Sequence, residues 1–208
     1  PPLPPAPPQL SGGSHNGKFR NQDPLYTFTN RRIVKHLVEG LPLRCSSLRA
    51  LGGFANVFAI ESFMDELAAE AGVDEIEFRL RNLADMRAKT VIEVAAEKFG
   101  WPGEEGPALG SGLAFAQYKN AKTYAAVAIE VEVTDDAEIK LRRATIAADA
   151  GHVVDPDGLT AQLEGGVIQA ASWTLYEQVK YDAGGITSRD WDSYPILRFN
   201  NVPVIETI

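Results

Sequence analysis

The sequence predicts an α+β fold, a helical block followed by an antiparallel hairpin–helix–strand unit. Three observations point there. Apolar residues recur at three- and four-residue steps through residues 56–99, and they alternate with polar ones through 123–151. One long helix-like segment then follows at about 156–176. Helices gathered ahead of strands, instead of alternating with them, belong to the α+β class.

The elements follow in order. PPLPPAPPQLSGGSHNG, residues 1–17, favours polyproline II and then flexible backbone, so residues 1–31 are expected to be a Pro/Gly-rich linker or surface wrap. A ligand for a proline-binding domain is the alternative. A chain that opens on Pro-Pro-Leu-Pro without Met is expected to be processed or to be a piece of a longer protein. Residues 30–48, broken by Gly40 and Pro42, read as extended, and with the helical block they make a second unit, 32–109. In NVFAIESFMDELAAEAG the stripe Val57, Ile60, Met64, Leu67 and Ala71 faces a core, and Gly72 stops the helix. Asp74, with Glu77 three residues on, is a capping-box pattern for a second helix. A third runs from about Arg87 to Phe99, with Val91, Val94, Ala95 and Phe99 on one side.

A third unit, 110–208, is mostly strand. TYAAVAIEVEV alternates around Val127, Ile129, Val131 and Val133, TDDA turns, and EIKLRRATIAADAG runs back. The helix of about Pro156–Tyr176 comes next. QVKYDAGGITSRDW is a strand–turn–strand with its turn at Gly184–Gly185, and YPILRFNNVPVIETI is extended.

Composition excludes several function classes. A net charge of −8 with no basic stripe argues against nucleic acid. No apolar run approaches the length of a membrane span. Cys45, the single cysteine, has no marked basic partner in sequence, and no nucleophile elbow is present. His15, His36 and His152 are scattered without metal-ligand spacing. No catalytic residue and no metal ligand is therefore assigned. Gly110–Gly112 is no dinucleotide fingerprint, and Glu104–Glu105 is most simply a solvated face.

Two segments stand out. LRALGGFAN, residues 48–56, places a glycine pair before a helix, where backbone can approach a ligand and N–H groups can meet an oxygen acceptor, with Arg49 adding a charged fork. A tight turn with a surface arginine is the commoner explanation of such a segment. The second is ADAGHVVDPDGLTAQLEGGVIQAASW. Its helix carries an apolar stripe, Leu159, Leu163, Val167 and Ala171, and beside it the line Gln162, Gly166 and Gln169. Amides suit a ligand rich in amide and oxo groups; close helix–sheet packing with half-exposed glutamines explains the same pattern equally well.

Together, in this order, the two segments resemble the molybdopterin-binding large subunit of the xanthine dehydrogenase/aldehyde oxidase family of molybdenum hydroxylases. The bacterial isoquinoline, nicotinate and aldehyde oxidoreductase branch is the nearest in pattern. The family's Arg before a Gly-rich turn matches Arg49–Gly53, and its Asp-x-Gly, Asn-Pro and Gln-x-Glu-Gly-Gly match Asp149, Gly151, Pro156, Gln162 and Glu164–Gly166; Asp155 stands where Asn is commoner. The resemblance implies part of a larger molybdenum cofactor-binding domain, with Arg49, Ala50 and Gln162 as cofactor-binding residues. It implies molybdopterin, in the cytosine dinucleotide form, with iron–sulfur clusters on a small partner subunit. The substrate would be an aldehyde or N-heterocycle, oxidised with water as the oxygen source. The family's Gly-x-Gly-Glu base motif and its Gly-Gln-Gly segment are absent from these 208 residues. The chain is therefore expected to be a fragment or one component of a split subunit, partnered by the rest of the large subunit and inactive alone. A non-catalytic assembly domain that keeps the fold is the rival reading, and a small-molecule binding domain built on the Gly-rich turn is a third.

Overall fold

The computed structural model describes residues 17–34, 36, 43, 48–104 and 106–208. The linker up to residue 16, most of the extended stretch 35–47, Cys45 and Glu105 lie outside the described residues.

Three helices come first. α1 spans Gly53–Ala71, three residues earlier than the apolar pattern predicts, and Gly72 closes it at φ 63 with its N–H returned to Ala68 and Ala69. α2 is Glu75–Arg81, capped by Asp74, whose carboxylate accepts from the Ile76 and Glu77 N–H groups. The Glu77 carboxylate goes to Arg81, so the capping box is carried by Asp74. α3 is Met86–Phe99, capped by Asp85 and closed by Gly100 at φ 76.

The sheet is mixed. β1 (Leu109–Gln117), β2 (Tyr124–Val133) and β3 (Ile139–Asp149) form an antiparallel meander, and β6 (Val204–Thr207) adds parallel to β3, giving the order β1-β2-β3-β6. β1 pairs with β2 along its whole length, Leu109 with Glu132 through Gln117 with Tyr124. A bulge at Glu130/Val131 shifts the β2–β3 register, which bends the strand locally. Between β3 and β6 lies α4 (Pro156–Leu175). A small hairpin follows it, β4 (Tyr181–Asp182) and β5 (Gly185–Ile186), which turns over Ala183–Gly184, one residue before the expected place.

Both faces of the sheet carry helices. The face built of Leu113, Phe115, Tyr124, Ala126, Ala128 and Ala147 packs with Met64, Ile76, Ile92, Ala95 and Phe99 into the main core. Ala126, Ala128 and Ala95 bring no side-chain bulk, so α3 lies close on the strands. The β-branched face, Val127, Ile129 and Ile146, turns the other way, toward Leu163 and Val167 of α4. The alternation in β2 thus marks two covered faces, with the smaller residues in the tighter core.

A buried ion pair ties this core together. Arg79 and Glu61 are 0% and 5% exposed. Glu61 accepts from Arg79 Nε at 2.9 Å, from the Phe115 N–H at 2.9 Å and from the Tyr26 hydroxyl at 2.8 Å. Arg79 also reaches Asp65 at 2.7 Å and donates to the Glu61 carbonyl at 3.0 Å. Burial pushes the Glu61 carboxyl up, against the pull of Arg79 and the Phe115 N–H. The α1 face that turns inward is thus Glu61, Met64 and Ala68, while Ala71, expected in the stripe, is exposed.

Candidate functional site

The loop into α4 is shaped by its own acids. Asp149, at the end of β3, holds Arg87 of α3 through two bonds of 2.6 Å and accepts from the Gly151 N–H at 2.9 Å. Gly151 turns at φ 74, where a side chain is disfavoured. The Arg87 guanidinium and the Gly151 N–H together lower the Asp149 carboxyl to about 2. Asp155 then caps α4, accepting from the Gly158 N–H at 3.0 Å, with Pro156 in the first turn. Asp149, Gly151 and Asp155 therefore have structural roles: they aim the helix.

The segment before α1 is a strained turn. Ala50 and Leu51 lie at φ 67 and 54, each at a cost of about 1–2 kcal/mol. Hydrogen bonds hold it: Leu51 N–H to Leu48 at 3.0 Å, Gly53 N–H to Ala50 at 3.0 Å and Gly52 N–H to Gly17 at 2.8 Å. A Cβ at Gly52 would overlap the Lys18 carbonyl. The backbone that Gly52 admits is thus the chain's own.

The two segments meet. Arg49 Nη1 donates to Gln169 Oε1 at 2.9 Å, across 120 residues of sequence, and Phe54 packs edge-on against Trp173 at 5.4 Å. These contacts hold the start of α1 against the later part of α4. Between α4 and the sheet lies an open cleft of about 560 Å³. Aliphatic side chains dominate it, with Val127, Ile129 and Ile146 on the sheet and Leu159, Leu163 and Val167 on α4. Its polar lining comes from Arg49, Gln162, Thr123 and Thr174.

Of the three residues singled out in the sequence, Arg49 and Gln162 line this one cleft, while Ala50 sits beside it in the turn. Gly166 also lines it, and a Cβ at Gly165 or Gly166 would meet nothing within 4 Å. Close packing within the chain therefore does not explain the glycine pair. A guanidinium fork, an exposed amide and bare helix backbone on one open cleft fit a ligand that carries oxygen and amide groups. Among the described residues, no group of three or more His, Cys, Asp or Glu is arranged to hold a metal ion. Nor is any described helix long and apolar enough to cross a membrane. The Arg49–Gln169 bond has no local signature in sequence, since its partners are separated by most of the chain.

Residues 43–203 match the model of the molybdopterin cofactor-binding domain. A nicotinate dehydrogenase subunit of Pseudomonas putida is 35% identical over 205 residues, which are 91% of this chain and 17% of that protein. The beta chain of isoquinoline 1-oxidoreductase from Brevundimonas diminuta is 33% identical over 163 residues, 76% of this chain and 21% of that one. A solved structure of quinoline 2-oxidoreductase from Pseudomonas putida 86 matches 41% of this chain and 11% of its own, at 26% identity and a TM-score of 0.40. The chain spans about a fifth of the length of these two curated relatives. The domain match over residues 43–203, with 35% identity to the nicotinate dehydrogenase subunit over 91% of this chain, places the chain in the molybdopterin-binding xanthine dehydrogenase/aldehyde oxidase family.

Proposed function

We propose that this chain forms part of the molybdopterin-binding wall of a molybdenum-dependent hydroxylase that oxidises an aldehyde or N-heteroaromatic compound, with water as the oxygen source. The observation that carries the proposal is the convergence of Arg49 and Gln162 on one open cleft. Arg49 offers N–H donors and positive charge to cofactor oxygens, and Gln162 offers both donor and acceptor from its amide. Gly165 and Gly166 leave bare backbone where a bulky group can lie along α4. When bound, the molybdenum cofactor supplies the redox chemistry, and the protein positions it. In this reading the cofactor is the cytosine dinucleotide form of molybdopterin, and electrons leave through iron–sulfur clusters on a small partner subunit. The names of the two relatives, one a nicotinate and one an isoquinoline enzyme, favour an N-heteroaromatic substrate.

Among the described residues that line the cleft there is no Asp, Glu, His or Cys. In this reading the proton acceptor for the reaction belongs to the remaining part of the large subunit, and the chain alone is inactive. The test is the molybdenum and pterin content of the native assembly that contains this chain, with turnover of aldehydes and N-heterocycles. Stoichiometric cofactor with hydroxylation is expected. Tight assembly with neither cofactor nor turnover would instead establish a non-catalytic assembly domain.

A further inference from the structure

We infer that Gln169 is a positioning residue, which fixes the Arg49 guanidinium at the cleft without neutralising it. The inference rests on the proposal that Arg49 meets the cofactor. Arg49 is an exposed side chain on a turn, and a free arginine there has many rotamers. Among the described residues, its guanidinium donates to Gln169 Oε1, at 2.9 Å. Gln169 is itself half-buried on α4, one turn before Trp173, whose ring is clamped against Phe54. The acceptor is therefore on a rigid element, and it ties the fork to the helix line that also carries Gly166 and Gln162.

The choice of an amide matters. A carboxylate at 169 would hold the guanidinium at least as well, and would also cancel its charge. The amide oxygen takes one N–H and leaves the remaining donors, and the positive charge, for an anionic oxygen group. Arg49 thus reaches an oxo or phosphate oxygen already oriented, which lowers the entropic cost of binding.

The experiment is cofactor retention in the native assembly. Bound molybdenum and released pterin are measured after dialysis, and the melting temperature is recorded alongside. Arg49→Ala, Gln169→Ala, Gln169→Glu and the double alanine variant are compared with wild type. Gln169→Ala should weaken retention about five- to tenfold, as loss of one oriented hydrogen bond does. In the Arg49→Ala background it should have no further effect. Gln169→Glu should keep the wild-type melting temperature and still weaken retention, because it neutralises the fork. Unchanged retention in Arg49→Ala would remove Arg49 from the cofactor site, and the role of Gln169 with it. Loss in Arg49→Ala but not in Gln169→Ala would overturn the positioning role alone. Equal loss from Gln169→Ala in both backgrounds would show that Gln169 does not act through Arg49. Full retention in Gln169→Glu would overturn the charge argument.

Discussion

At Gly166 two demands on one residue pull apart. In the interior of α4 a glycine costs about 1 kcal/mol relative to alanine, and nothing in the chain lies within 4 Å of where a Cβ would stand. Gly166→Ala should therefore raise the melting temperature of the chain by itself, while Gly166→Leu should lower cofactor retention in the assembly. Thermal melts of the chain and pterin analysis of the assembly check the two halves. A fall in melting temperature with Gly166→Ala would show a close neighbour within the chain after all. Gln162→Ala should behave differently: the side chain is exposed, so stability should move by under about 0.5 kcal/mol while turnover falls. Asp149 carries a pH dependence. Its carboxyl is held at about 2 by Arg87 and Gly151, below an unfolded value of about 3.9. The lowered group contributes stability that is complete above about pH 4 and is lost as pH falls through about 2. Asp149→Asn should flatten the decline in melting temperature across that window.

At the scale of elements, α4 depends on its start. The Asp155 carboxylate meets the Gly158 N–H at 3.0 Å, and Asp155→Ala should cost about 1 kcal/mol, read as a drop in the denaturant midpoint. Asn at this position should cap equally well. Elements differ in how far sequence shows them. α3 and α4 are legible from periodicity, because that signal acts within a few residues. β1 is not: more than half of LGSGLAFAQ is Gly, Ser and Ala, which have weak strand preference, and its full pairing with β2 makes it a strand. The parallel placement of β6 on β3 has the same cause, since a four-residue strand announces neither its partner nor its direction. The candidate site was legible as two separate motifs, each with a bland alternative. The bond between Arg49 and Gln169, and the cleft that Gln162 shares with Arg49, required the fold.

The whole molecule is organised by the Glu61–Arg79 pair, which joins α1, α2, β1 and the segment around Tyr26. In sequence both charges look like ordinary helix surface, and nothing local marks them as buried. Removing Arg79 leaves the buried Glu61 carboxylate without its ion-pair partner, so Arg79→Ala should cost about 3–5 kcal/mol, and Glu61→Ala should cost less, because Arg79 keeps Asp65 at 2.7 Å. Chemical denaturation of the purified chain measures this. The main core and the cleft lie on opposite faces of the sheet, so such a loss should act on folding and not selectively on cofactor binding. That separation is what makes the cleft free to serve a ligand. The most direct test of its role is a structure of the native assembly with cofactor bound. Pterin or phosphate oxygens are expected about 3 Å from the Arg49 guanidinium and the Gln162 amide, alongside Gly165 and Gly166. A cleft filled by protein side chains, with the cofactor bound away from both residues, would contradict that role.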